Sequence, residues 1–138
     1  MQFAQVIIDP QKGKPVLEII IGKRQLGKYR AFQFIPGPPR RSKVIGSGDN
    51  VEQDSKDRFL LDSPLSLDGA DIIISSVIFK QTEDPSDLFA VTSILTQDNE
   101  PVKSAVPGGP GGVLTVTGTL DKTKPIVLQY DLTVGAEQ

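Results

Sequence analysis

Residues 22–28 have the glycine and lysine spacing of a phosphate-binding loop, G-x-x-x-x-G-K. In such loops, backbone N–H groups surround the phosphate and the lysine reaches the terminal phosphate groups. Tyr29 occupies the next position, where a Ser or Thr hydroxyl should hold magnesium. Prolines at 36, 38 and 39 also oppose the helix whose free N–H groups would face the anion. We therefore reject a nucleotide-binding loop.

The alternative for this segment is a β-hairpin. Residues 16–21 and 28–35 alternate as strands, and Gly22 and Gly27 would supply the turn conformations between them. On this alternation Phe32 and Phe34 share a side with Lys28 and Arg30, and we expect the two phenylalanines to lie in the core.

Basic residues are concentrated in the first third of the chain. Residues 1–45 carry nine basic and two acidic groups, whereas residues 46–138 carry six basic and fifteen acidic groups. Such asymmetry is compatible with contact with an anionic partner, with head-to-tail contact between copies, or with charges that cancel within one fold. The candidate partner contacts are therefore the basic residues of one acid-free segment: Lys23, Arg24, Lys28, Arg30, Arg40, Arg41 and Lys43.

The chain contains no His and no Cys. This excludes Ser-His-Asp and Cys-His nucleophiles, a histidine general base and ordinary zinc or copper sites. We expect no catalytic residues, no cofactor and no small-molecule substrate. The acidic loop residues leave calcium open, because hard oxygen ligands suit that ion: Asp62, Asp68, Asp71, Asp84, Asp87 and Asp98.

Period-two alternation is the main structural signal, and no segment has a convincing amphipathic pattern of helical period. Residues 49–58 are at most a loop or a single turn. We predict strands at 3–8, 16–21, 28–35, 58–61, 72–79, 88–96, 113–120 and 126–134. Rich in Pro and Gly, segments 36–48 and 97–112 are predicted to be long loops and possible contact surfaces.

These patterns predict an all-β fold, in one domain spanning residues 1–138. We expect an antiparallel β-sandwich of seven to nine strands, with Greek-key or jelly-roll connections. The longest nearly apolar run, residues 72–79, is too short to span a bilayer. The first residues lack the pattern of a signal peptide, so we expect synthesis in the cytoplasm.

The missing catalytic groups and the opposed charges favour a non-catalytic structural, assembly or adaptor module. Such a module would bind a protein partner, or copies of itself, through loops and edge strands. One alternative is a sandwich that binds carbohydrate, or lipid with calcium. Another is single-stranded nucleic acid bound through residues 23–43, where basic side chains are interleaved with aromatic ones.

Overall fold

A computed structural model describes residues 2–22, 25–49, 56–80, 87–121 and 124–136. Within these ranges the chain forms strands, one short 3₁₀ turn at Pro64–Leu67 and no α-helix. None of the described segments is a helix of the length and apolar character needed to cross a membrane. The strands are β1 Gln2–Ile8, β2 Val16–Gly22, β3 Leu26–Ile35, β4 Arg41–Asp49, β5 Lys56–Leu60, β6 Asp71–Phe79, β7 Leu88–Gln97, β8 Glu100–Pro101, β9 Lys103–Ser104, β10 Val113–Thr119 and β11 Ile126–Ala136.

The strands form two packed sheets. The six-stranded sheet has the order β4-β3-β6-β11-β1-β9. The five-stranded sheet has the order β10-β7-β2-β5, with β8 paired to β7. Neighbouring strands are antiparallel except β1 and β11, which are parallel. The predicted all-β, mostly antiparallel sandwich is confirmed, and β8 and β9 are two-residue additions to it.

Alternation along the strands builds the core between the sheets. Inward residues of β6, such as Ile72, Ile74 and Ile78, are completely buried, whereas their neighbours in sequence are half-buried or exposed. Tyr130 on β11 also points inward, and its hydroxyl donates a 2.8 Å hydrogen bond to the Val91 carbonyl of the opposite sheet. This bond satisfies a buried polar group and links the two layers.

The predicted hairpin of residues 16–21 and 28–35 is wrong. Both segments are strands, but β2 pairs with β5 and β7 in one sheet, and β3 pairs with β4 and β6 in the other. Gly27 lies within β3 rather than in a turn, and a Cβ there would stand 2.8 Å from the Cδ1 atoms of two isoleucines. The glycine therefore provides space for packing between the sheets.

The predicted loop at 36–48 is also wrong over most of its length. Residues 41–49 form β4, the outermost strand of the six-stranded sheet, with a bulge opposite Ala31 and Phe32. Glycine and serine interrupt the apolar alternation of this strand. An edge strand tolerates them because it pairs with only one neighbouring strand. The predicted loop at 97–112 contains the short strands β8 and β9.

The structure also gives the outcome for three further predicted segments. The segments 113–120 and 126–134 are strands as predicted, and they lie in opposite sheets. Of the polar segment 49–58, residues 50–55 lie outside the described residues, and residues 56–60 form β5.

Candidate functional site

The six-stranded sheet turns one set of side chains away from the core, and we call this surface the outer face. Strand register places five residues side by side across it, one from each of five strands. In order from β1 to β4 they are Phe3, Asp131, Ile73, Phe32 and Val44, which we call the apolar row. Four of the five side chains are apolar, so this row departs from the polar outer face expected of an antiparallel sheet.

Exposure is greatest at the two ends of the apolar row. Phe3 is 65% exposed and Val44 is 57% exposed, while Phe32 and Ile73 are half-buried by their neighbours. Val127 lies on the adjoining part of β11 and is 68% exposed. Single exposed apolar residues are ordinary, but neighbouring ones on a single face mark a contact surface.

Basic side chains border the apolar row on β3. Lys28 and Arg30 are exposed on the same face as Phe32 and Phe34. The Arg30 guanidinium carbon lies 6.0 Å from the Phe32 ring centroid, within the range of a cation–π interaction. The centroids of Phe32 and Phe34 are 6.4 Å apart, with their rings inclined at 37°. Two aromatic rings and two cations therefore occupy consecutive outward positions of one strand.

A shallow depression of about 560 Å³ adjoins this cluster. It spans β4, β3 and β6, and Arg30 lies between Ser47 of β4 and Ser75 of β6 in the strand register. The cation and the two hydroxyls can all donate hydrogen bonds to an anionic group. The complete lining is Lys28, Tyr29, Arg30, Phe32, Ser47, Gly48, Asp49, Ser75 and Val77.

An acidic pair interrupts the apolar row. Asp131 lies between Phe3 and Ile73, and its Oδ1 atom is buried without a hydrogen-bond partner. Burial raises the pKa of Asp131 above its ordinary value, and the neighbouring Asp71 carboxylate raises it further. Asp71 itself accepts a 3.1 Å hydrogen bond from the Thr133 hydroxyl. Ionisation of Asp131 is therefore less favourable within the row than it would be for an exposed aspartate.

The structure divides the predicted basic contacts between different surfaces. Lys28 and Arg30 lie together on the outer face, and Arg40 and Arg41 are exposed near the start of β4. Lys43 stands opposite Gln33, an inward residue, and pairs with Asp62 at 3.3 Å. The remaining two, Lys23 and Arg24, lie outside the described residues.

The prediction that Phe32 and Phe34 lie in the core is wrong. The inward residues of β3 are Gly27, Tyr29, Ala31 and Gln33, all buried, and the two phenylalanines are half-buried on the outer face. Grouping the phenylalanines with Lys28 and Arg30 was correct, but the side they share faces outward.

Sequence reasoning also missed the rest of the site. The sequence predicts a loop at Val44 and strands at Phe3 and Ile73, without the pairing that joins them. Strand register alone brings these residues together with Phe32, and the sequence carries no direct signal of register here.

The described residues contain no group of three or more His, Cys, Asp or Glu side chains able to hold a metal ion. Two of the acids proposed as calcium ligands accept hydrogen bonds from the protein: Asp62 from the Gln33 amide at 2.8 Å, and Asp98 from the Gly13 N–H at 3.3 Å. Asp84 lies outside the described residues. Tyr29 hydrogen-bonds Asp57, and burial raises the pKa of its hydroxyl, so it is not a base near neutral pH.

Comparison with known proteins gives no relative from which a function could be inferred. No family model matches the chain, and no curated protein or solved structure is significantly similar to it. The function must therefore be argued from the surfaces of this molecule alone.

Proposed function

We propose that this chain is a non-catalytic interaction module that binds a protein partner through the outer face of its six-stranded sheet. The observation that carries the proposal is the apolar row, whose two ends, Phe3 and Val44, are exposed on the outer face. Covering such side chains releases about 25 cal/mol for each Å² of apolar surface removed from water. A partner that lies across the row gains this energy on four of the five strands, since β11 contributes Asp131.

The two cations of β3 define the chemistry of the partner segment that lies next to them. Lys28 and Arg30 border the row on β3, and Ser47 and Ser75 flank Arg30. An apolar segment flanked by Asp or Glu complements this arrangement, because its carboxylates would receive hydrogen bonds from Arg30 while its apolar side chains cover Phe32. We therefore propose an acidic, apolar peptide segment as the bound element.

Selection of peptides from a random displayed library tests this function without a known partner. We expect the selected peptides to combine apolar residues with Asp or Glu, and to bind Val44→Thr and Arg30→Gln at least tenfold more weakly than the unchanged protein, a loss of about 1.4 kcal/mol. The matched control is Leu60→Thr, which alters an exposed apolar residue of β5 on the other sheet. Peptides that are basic, or that bind all three variants equally, contradict the proposal.

Single-stranded nucleic acid is a second candidate, favoured by the outward position of Phe32 and Phe34 beside Lys28 and Arg30. Aromatic rings stack on bases, and cations contact the phosphates. Three carboxylates of the same face oppose a polyanion: Asp49, Asp71 and Asp131. A fluorescent oligo-dT probe decides between the candidates: binding that weakens steeply with salt, and is lost in Phe32→Ser, favours nucleic acid, and the absence of binding favours the peptide.

A further inference from the structure

Strand β10 is the outermost strand of the five-stranded sheet, and its sequence VLTVTGT contains no charged residue and no proline. It pairs with β7 over all seven residues without a bulge. In the described part of the chain, no strand pairs with its other side. The edge is therefore straight, uncharged and rich in β-branched residues.

Such an edge is unusual because natural sheets normally protect their edges. Charged side chains, prolines and bulges prevent a second chain from pairing there. Strand β4, the edge of the other sheet, has these devices: Arg41 and Lys43 lie on it, and a bulge interrupts its pairing with β3. Strand β10 has none of them, so its free backbone groups are open to another strand.

We propose that β10 pairs antiparallel with β10 of a second copy of this chain, which joins the two five-stranded sheets into one. The proposal identifies a homotypic partner, as expected of an assembly module, and it uses a different surface from the outer face. The two proposals can therefore fail separately.

The strand is self-complementary when the two-fold axis passes through Val116. In that register Thr115 stands opposite Thr117 of the second copy, and Leu114 stands opposite Gly118 of the second copy. Inward residues thus meet inward residues, and outward residues meet outward ones. Threonine pairing already occurs on the other side of β10, where the Thr92 and Thr115 hydroxyl oxygens are 3.1 Å apart. Cross-strand threonine pairs stabilise a sheet by about 0.2–1 kcal/mol each.

Burial at this edge is incomplete. Val116 points inward but is only half-buried, and Val113 is 44% exposed on the outer side of the sheet. A second copy would cover both side chains, and none of its seven β10 residues is charged. The free monomer therefore leaves apolar surface open at the side where the added strand would lie.

The size of the contact sets its strength. Seven residues of strand extend for about 24 Å, and a sheet edge about 10 Å thick buries on the order of 300 Å² on each copy. The total lies well below the roughly 1,200 Å² at which stable interfaces begin. We therefore expect a reversible dimer that forms as the protein concentration rises.

Sedimentation velocity over a range of protein concentrations tests the pairing. We expect the unchanged protein to shift from monomer to dimer between about 10 μM and 1 mM, the range of weak association. Thr117→Lys should raise the dissociation constant at least tenfold, because it places a charge on the exposed edge. The control Val44→Lys places the same charge on the β4 edge, and it should leave the dimer unchanged. A circular-dichroism melting curve verifies that each variant is folded.

Mixing two variants tests the register. Thr115→Glu in one copy would face Thr117→Lys in the other, so an equimolar mixture should dimerise more tightly than either variant alone. A strictly monomeric unchanged protein overturns the proposal, as does equal dimerisation of Thr117→Lys, loss of the dimer in Val44→Lys, or a mixture that dimerises no more tightly than the single variants. The peptide-selection experiment does not depend on any of these results, so failure here leaves the outer-face proposal intact.

Discussion

Replacing Asp131 by Asn should stabilise the protein near neutral pH. The Oδ1 atom of Asp131 is buried without a partner, and the Asp71 carboxylate lies beside it. A buried acceptor without a partner costs about 1–3 kcal/mol, and because Asp131 is only half-buried we expect a gain of about 1 kcal/mol from Asp131→Asn. The new amide can also donate a hydrogen bond to Asp71, which the carboxylate cannot do.

The pH dependence of stability provides an independent readout. The pKa of Asp131 is raised in the folded state, so the folded protein binds more protons than the unfolded chain between the unfolded and folded pKa values. The contribution of this group to stability is therefore complete below the unfolded pKa, and it is lost as the pH rises through the folded pKa. In Asp131→Asn this part of the pH dependence should disappear, leaving the contributions of the other acids.

Urea unfolding at pH 7 and at about pH 4.5, near the titration range of carboxyl groups, measures the stabilisation by Asp131→Asn and its dependence on pH. The matched control is Asp98→Asn, which changes an exposed acid in a turn whose left-handed backbone (φ 50°) asparagine tolerates. The advantage of Asp131→Asn over the unchanged protein should shrink at the lower pH, and the control should show no comparable change. Destabilisation by Asp131→Asn at pH 7, or an advantage that does not vary with pH, would refute this account of the acidic pair.

Two further substitutions test the packing that supports the outer face. Asp62→Ala removes the acceptor of the buried Gln33 amide, and we expect a loss of about 1–3 kcal/mol in urea unfolding. The hydrogen bond from Gln33 holds the pKa of Asp62 below its ordinary value, so the stability from this pair is present above the unfolded pKa and is lost as the pH falls through the folded pKa. Gly46→Ala adds a Cβ that overlaps the Phe59 ring across the sandwich, and it should lower stability by about 1–3 kcal/mol. An unchanged unfolding midpoint for either variant would contradict the packing described here.

The strands themselves were predictable because alternation of apolar residues is a local signal. The segments 113–120 and 126–134 carry it, and the structure has strands there. The alternation does not predict β4, because this edge strand buries few of its side chains and therefore needs few apolar residues. The pairing of strands was not predictable, because short connections suggest a hairpin even where the chain crosses to the other sheet.

The sequence does not reveal the outer face, because β3 turns its phenylalanines outward and less apolar residues inward. Apolar content favours placing Phe32 and Phe34 inside, yet Ala31 and Gln33 hold the inward positions. The Phe59 ring of β5 packs into this part of the core against Tyr29, with the two ring centroids 6.1 Å apart, and against Gly46 of β4, where it leaves no space for a Cβ. That constraint comes from the opposite sheet, so no pattern within β3 reveals it.

The parallel pairing of β1 with β11 has a consequence for biosynthesis. Strand β1 precedes the other described strands in the chain, and both of its sheet neighbours, β9 and β11, lie far downstream. Val6 and Ile8, which are buried in the folded protein, therefore lack both neighbouring strands of their sheet until translation has passed almost every other strand. Contacts of such long sequence separation slow folding. A chaperone that shields apolar segments would find this strand available for most of the synthesis of the protein.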